Sequence, residues 1–280
     1  MDKEKLIFIG GSMRSGTTIL HKILCAANEA HPYITESWFL VDQLRAYLWS
    51  LERYDVRHRD YFGDQENFDR FTRDILDRFI KQTRQHLSDP KALVLKNPEI
   101  TGQFPLLGSW FEDARFIINL RDPRDTIASI IRVGEKHKKN RMRTEQSSMG
   151  RDMKALSNFY KRYYIRAFDV NSPIRERTIF VRYEDIMTDV ETECARIGEF
   201  CGLTFSHQKL RALGEDKTGS ANMDADVRSQ DPYSGAFWSD LYNKNLSSER
   251  IGRYAEVLTP AEIEQVETHC ADFNQIFKYW

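Results

Sequence analysis

The sequence predicts an α/β fold, a single domain with a central parallel sheet flanked by helices. Three observations carry this. Short apolar runs rich in Ile, Val and Leu alternate with segments of helical periodicity. The first run leads into the glycine-bounded loop Gly10-Gly11-Ser12-Met13-Arg14-Ser15-Gly16 and then into an amphipathic helix, the layout of a P-loop. Just past the strand ends stand Arg14, Lys96, Arg121 and Tyr183, three of them cations. Strands separated by helices imply right-handed crossovers and a parallel sheet, whose ligand sits outside the carboxyl ends of the strands. The expected ligand is an anion.

Each element follows in order. Residues 6–9 are the first strand, and 17–27 the helix after the loop. Residues 36–50 and 68–87 read as helices; Thr35 is the expected cap of the first, and Phe68, Phe71, Ile75, Phe79 and Ile80 form a helical stripe on the second. Residues 52–67 between them are polar and aromatic, without a clear period. The second strand, 92–95, ends at Lys96-Asn97-Pro98. The third, 115–120, ends at Arg121-Asp122-Pro123, and the next helix, 125–133, has Asp125 as its expected N-cap. The basic run 136–143 is expected to be a solvated loop. The fourth strand, 178–182, ends at Tyr183-Glu184-Asp185, and 191–201 is helical. Pro260 opens a terminal helix capped by Thr259. Residues 214–245, rich in Gly, Ser, Asp and Asn, are the expected flap.

The chain has 280 residues, 41% of them apolar, enough for a sizeable core. Its 41 Lys and Arg against 42 Asp and Glu leave no whole-chain charge to favour nucleic acid or an anionic membrane. No stretch approaches the ~20 apolar residues of a membrane span. The start, Met1-Asp2-Lys3-Glu4-Lys5, is charged and lacks a signal-peptide pattern. The expectation is a soluble, cytoplasmic protein without nucleic-acid or membrane partners; the oligomeric state stays open. Cys25, Cys194, Cys201 and Cys270 lie in predicted helices with no zinc-type spacing, and free thiols are expected.

Gly11 and Gly16 have the spacing of G-x-x-x-x-G-K-[ST], but Thr17 replaces the lysine that would reach a β/γ-phosphate. Arg14 sits inside the loop instead. Such a loop presents backbone N–H groups and a positive helix end to an anion. Gly16 lets the backbone approach closely, Ser15, Thr17 and Thr18 add hydroxyls, and Arg14 can fork onto two oxygens of one phosphate. In Arg121-Asp122-Pro123-Arg124-Asp125-Thr126-Ile127-Ala128-Ser129, Arg121 and Ser129 can clamp a second phosphate. The alternative there is a local salt-bridge knot of Arg121, Asp122, Arg124 and Asp125.

These two elements resemble the PAPS-dependent sulfotransferases, whose R-S-G-T-T loop and R-D-P-R-D…S segment bind the 5′-phosphosulfate and the 3′-phosphate of 3′-phosphoadenylyl sulfate (PAPS). The likeness is nearest to the tyrosylprotein-sulfotransferase-like and bacterial branch. Val181-Arg182-Tyr183-Glu184-Asp185 and Leu95-Lys96-Asn97-Pro98 are looser matches, as is the serine-containing flap around Asn245–Tyr254. The resemblance implies the P-loop NTPase-like sulfotransferase fold, and PAPS as donor with PAP as product and no metal. It implies an acceptor hydroxyl, or a nitrogen, on a small molecule. It places Tyr183 near the nucleotide, and Ser247 or Ser248 as a flap ligand.

Sulfuryl transfer needs an in-line nucleophile, charge stabilisation and a base. Glu36 stands where the resembling branch carries its catalytic glutamate; His31 is the competing base. Lys96 would stabilise the bridging oxygen, and Arg14 the leaving group as it gains charge. Segments 36–67 and 136–158 are expected to shape the acceptor pocket, the first through aromatics (Trp38, Phe39, Tyr47, Trp49, Tyr54, Tyr61, Phe62) and acids (Asp42, Asp55, Asp60, Asp64). A small-molecule or nucleotide kinase and a non-catalytic nucleotide-binding scaffold are the competing readings.

Overall fold

The computed structural model describes residues 4–165, 172–212 and 248–280. Ser247 and nearly all of the expected flap lie outside the described residues, as does the side chain of Ser248.

Strand β1 (Lys5–Gly11) runs into the loop and helix α1 (Thr17–Cys25). Helices α2 (Trp38–Leu51), α3 (Tyr54–Arg57), α4 (Arg59–Phe62) and α5 (Gln65–His86) precede β2 (Ala92–Lys96). A short turn of helix, Pro98–Gln103, leads to α6 (Phe104–Trp110) and β3 (Arg115–Leu120). Then come α7 (Pro123–Lys139), α8 (Glu145–Met149), α9 (Met153–Lys161) and β4 (Thr178–Arg182). Helices α10 (Tyr183–Thr188), α11 (Val190–Cys201) and α12 (His207–Ala212) follow, and α13 (Pro260–His269) and α14 (Ala271–Phe277) close the chain. The four strands form one sheet in the order β2-β1-β3-β4, every pair parallel. All four predicted strands are present.

The sheet is buried on both faces, which is why its strands read as nearly continuous apolar runs. Phe8, Leu95, Phe116 and Ile118 face a core built with α2, α5, α6 and α9. Ile7, Ile9, Val94 and Ile117 face the opposite core, built with α1 and α11. The split follows the two-residue alternation of a strand. No described helix is long and apolar enough to cross a membrane. All four cysteines are free, and burial raises the thiol of Cys201 to about 12.

Three local expectations are corrected. Helix α7 starts two residues earlier than predicted: Asp122 is its N-cap, accepting from Arg124 N at 2.8 Å, with Pro123 in the first turn. Proline there supplies a helical φ and gives up only an amide that lacks a helical partner. Asp125 instead reaches out to another segment. Helix α2 begins after Ser37 rather than Thr35, without a side-chain cap. The basic run is no simple loop, because α7 carries it to Lys139; lysines in a last helical turn complement the helix dipole.

Candidate active site

The strand order reverses direction between β1 and β3, and a crevice opens beyond their carboxyl ends. The 12–16 loop lies there. Gly11 has φ +133°, and a Cβ on it would lie 2.5 Å from the Asn119 carbonyl oxygen. Gly16 has φ +101°, and its Cβ would lie 2.5 Å from Tyr183 Cδ2. Arg14 is left-handed too, with φ 67°, a conformation that costs a non-glycine residue about 1–2 kcal/mol. The fold overrides that cost by bracing the loop from behind. Asn119 Nδ2 donates to Ser15 O at 2.6 Å. Ser12 N donates to Tyr164 Oη at 3.0 Å, and that hydroxyl donates to Asn119 O at 3.1 Å. Gly11 N donates to Thr101 Oγ1 at 2.8 Å.

Ser15 belongs to this bracing. Its hydroxyl and its amide both donate to Ser12 O, at 2.7 and 3.2 Å, and the residue is fully buried. The groups directed forward are those at the start of α1. Gly16, Thr17 and Thr18 occupy its cap and first turn, where amides have no carbonyl four residues back and the helix dipole is positive.

Arg121, Ser129 and Tyr183 come to the same crevice. Arg121 follows β3 directly; its Nη1 donates to Arg14 O at 3.2 Å and its Nη2 to Arg250 O at 2.9 Å. Its guanidinium lies 4.4 Å from the Tyr183 ring centroid, and its buried Nε has no hydrogen-bond partner among the described residues. Arg14 Nε donates to Ser129 Oγ, on α7, at 3.2 Å. Arg14, Arg121 and Ser129 therefore meet in one crevice. Asp125 accepts from Gly252 N at 2.8 Å and Tyr254 N at 2.9 Å, so it docks the 250–254 segment against this cluster. Burial raises its carboxyl pKa, and the Arg121 charge opposes the rise.

The salt-bridge knot also exists, but centres on Arg124. Arg124 Nη2 donates to Asp122 Oδ2 and its Nη1 to Glu267 Oε1, each at 2.7 Å. The Tyr254 and Trp280 rings lie 4.5 and 4.7 Å from its guanidinium carbon.

On the other side of α1, Lys96 is the last residue of β2 rather than a residue beyond it, and it is fully buried. Its Nζ donates to Glu36 Oε1 at 2.6 Å and to Thr18 Oγ1 at 3.1 Å. Glu36 keeps about 29% of its side-chain surface exposed. His31 is occupied elsewhere: its Nδ1–H donates to Pro32 O at 2.8 Å, and its Nε2 accepts from Val94 N at 3.0 Å. Those two bonds suit the neutral ring, and burial lowers its pKa. Its imidazole locks the 31–37 segment to β2. His21, one turn beyond Thr18, is buried as well; desolvation, then Lys96, lowers its pKa.

A cavity of about 510 Å³ opens along α7, lined by Arg14, Arg121 and Ser129. Its walls also carry Arg132, Lys136, Lys139, Arg250 and Arg253, against two acids, Asp125 and Glu135. Lys136 and Lys139, expected in a solvated loop, instead stand on this wall, and Arg132, Arg250 and Arg253 join them. The signal for them was the helical spacing of Ser129, Arg132, Lys136 and Lys139, and the two arginines flanking Gly252, whose φ is +75°. The donor set fits a phosphorylated ligand: forked cations, helix-start amides and an orphaned guanidinium Nε on one crevice.

The aromatics of 36–67 divide between core and surface. Tyr47 and Tyr54 are buried against Phe68, with centroids 5.4 and 5.7 Å apart, and Asp64 caps α5. Trp38 and Phe39, two and three residues after Glu36, remain exposed.

Comparison with known proteins gives a consistent result. The model of the sulfotransferase family matches residues 7–207. The omega-hydroxy-beta-dihydromenaquinone-9 sulfotransferase Stf3 of Mycobacterium bovis is 24% identical, with 79% of this chain and 71% of that protein covered. The sulfotransferase domain from the curacin biosynthetic pathway superposes with a TM-score of 0.57 at 15% identity, covering 97% of this chain and 99% of that one. The sulfotransferase domain of the Synechococcus PCC 7002 olefin synthase gives 0.53 at 17% identity, covering 96% and 95%. These two likenesses show a shared fold.

Proposed function

The chain belongs to the sulfotransferase family, and from that premise we propose that it moves a sulfuryl group from PAPS to a hydroxyl of a small-molecule acceptor; a nitrogen acceptor is the variant. When bound, PAPS supplies the activated sulfuryl group. Arg14 and the amides and hydroxyls of Gly16, Thr17 and Thr18 hold the 5′ end, while Ser15 braces the loop. Arg121 and Ser129 take the 3′-phosphate, with Tyr183 under the guanidinium. Glu36 takes the acceptor proton. Lys96 places positive charge where the leaving oxygen gains negative charge.

One observation carries this reading. The Glu36 carboxylate and the Thr18 hydroxyl share the same buried ammonium, at 2.6 and 3.1 Å. The candidate base and the start of the anion-holding helix are thereby set one lysine apart, which suits in-line transfer between a bound donor and an arriving hydroxyl.

The test is direct. The purified chain is incubated with PAPS and a panel of alcohols, including long isoprenoid alcohols suggested by the Stf3 relative, and products are weighed for the gain of one SO3. Thermal shift with PAP, compared with ATP plus magnesium, tests the donor separately. Stabilisation by ATP plus magnesium and not by PAP would overturn the PAPS assignment and revive the kinase reading.

A further inference from the structure

The cavity carries more positive charge than a clamp for two phosphates requires. Arg132, Lys136 and Lys139 follow Ser129 along α7 and line the same wall. From Arg132 to Lys139 the helix rises about 10 Å, so the row runs from the inner cluster toward solvent. Arg253 stands on the facing segment. Glu256 bridges the walls, accepting from Arg132 Nη2 at 3.4 Å and from Arg253 Nε at 2.8 Å. The side chains of Arg132 and Arg253 are 47% and 44% exposed, and Lys136 and Lys139 are exposed as well. Of the acids on the lining, Asp125 is bonded to the Gly252 and Tyr254 amides, and Glu135 lies 3.7 Å from Arg151.

We propose that Arg132, Lys136, Lys139 and Arg253 form an outer capture site for the donor nucleotide, a track on which a multiply anionic nucleoside 3′,5′-bisphosphate lands before it seats. The proposal rests on the reading of PAPS as donor. An exposed ion pair in water contributes little to binding, so these residues add little to the final complex. Several like charges lining a cleft act differently: they focus the field and raise association rates by roughly 10- to 1000-fold. The formal net charge of the chain is −1, so this field is local to the cleft and points the nucleotide to one opening. Glu256, set between Arg132 and Arg253, damps the field, which makes its sign testable in the opposite direction.

The experiment measures association and dissociation rates of PAP with the whole chain by stopped flow over a salt series. The triple variant Arg132→Gln, Lys136→Gln, Lys139→Gln is expected to associate about tenfold more slowly at low salt, with the dissociation rate unchanged. The difference should vanish near 1 M salt, where the Debye length is about 3 Å. Glu256→Gln should associate faster than wild type at low salt. An unchanged association rate in the triple variant, a change confined to dissociation, or a deficit that persists at high salt overturns the proposal. Should the triple variant fail to fold, Glu256→Gln decides alone, and no acceleration overturns it. Failure of wild type to bind PAP at all would overturn the donor assignment and the capture site with it; normal binding with salt-independent association would overturn the capture site only.

Discussion

Lys96 and Glu36, 60 residues apart in the chain, meet at 2.6 Å between Nζ and Oε1, and Lys96 has no exposed surface. A buried ammonium held by one carboxylate and the Thr18 hydroxyl ties the segment before α2 to the helix that opens the anion site. The arrangement makes Glu36 a candidate base with a fixed position, and it defines what its loss should do.

Glu36→Gln keeps the shape and removes the basicity. Turnover at saturating PAPS is expected to fall by roughly 100-fold or more, while the PAP dissociation constant stays within a few-fold of wild type. Steady-state sulfation and calorimetric titration with PAP check the two halves. A variant within threefold of normal turnover would reject Glu36 as the base.

Arg14→Ala and Arg121→Ala act on the other arm. Each removes a forked donor, and Arg121 also loses its bonds to the Arg14 and Arg250 carbonyls. PAP affinity should drop at least tenfold in each, a loss of about 1.4 kcal/mol or more, measurable by calorimetry. Unchanged affinity in both would sink the site assignment.

Gly16→Ala tests the loop geometry. The added Cβ meets Tyr183 Cδ2 at 2.5 Å, and the backbone there sits at φ +101°. A side chain in such a conformation costs about 1–3 kcal/mol, and the Tyr183 ring must also leave its place beneath Arg121. The expected result is a lower melting temperature together with weaker PAP binding. Weaker binding at unchanged stability would show that the loop relaxes instead of straining.

Arg124→Ala should destabilise without touching the crevice chemistry. It leaves Asp122 and Glu267 without their 2.7 Å partner and removes a cation from between Tyr254 and Trp280. Because Glu267 is partly exposed, we expect about 2–3 kcal/mol, below the range for a fully buried pair. Urea denaturation measures it; a change under about 0.5 kcal/mol contradicts the buried-pair account.

Stability should fall in mild acid. His21 and His31 are buried with lowered pKa values, the first through desolvation and then Lys96, the second through desolvation. An unfolded histidine titrates near 6.5. Below that pH the unfolded chain binds protons that the folded chain refuses, so folding weakens as pH drops, by up to about 1.4 kcal/mol per pH unit for each ring. The stabilising contribution is fully present above about pH 7. Urea midpoints at pH 7.5, 6.5 and 5.5 give the slope, and a flat series would show that the rings charge freely in the folded state.

Much of the candidate site's local geometry could be read before folding, for a local reason. The strand, glycine loop and helix of residues 5–25 are contiguous, so Gly16, Thr17, Thr18 and Arg14 belong to one motif whose geometry is set by near neighbours. Asp122 was missed as a cap because Asp125 satisfies the same rule; only Pro123, a first-turn residue, separated them. Asp125 takes its partners from Gly252 and Tyr254, more than a hundred positions away, where no local rule reaches. The aromatics of 36–67 read alike in sequence, but packing against Phe68 drew Tyr47 and Tyr54 into the core and left Trp38 and Phe39 exposed.

The alternation of apolar runs and helices was enough to specify a parallel sheet, and the glycine loop, with Thr17 where a P-loop has lysine, was enough to suggest an anion-holding turn. Both are periodic or contiguous features, and short-range sterics and hydrogen bonding enforce them. The pairing of Lys96 with Glu36 and the contact of Arg14 with Ser129 came from the fold alone. Each joins segments that become neighbours only when β2 and β3 flank β1 in the sheet. Charge and hydrogen-bond partners across that distance are chosen by packing, and a linear pattern holds no record of them.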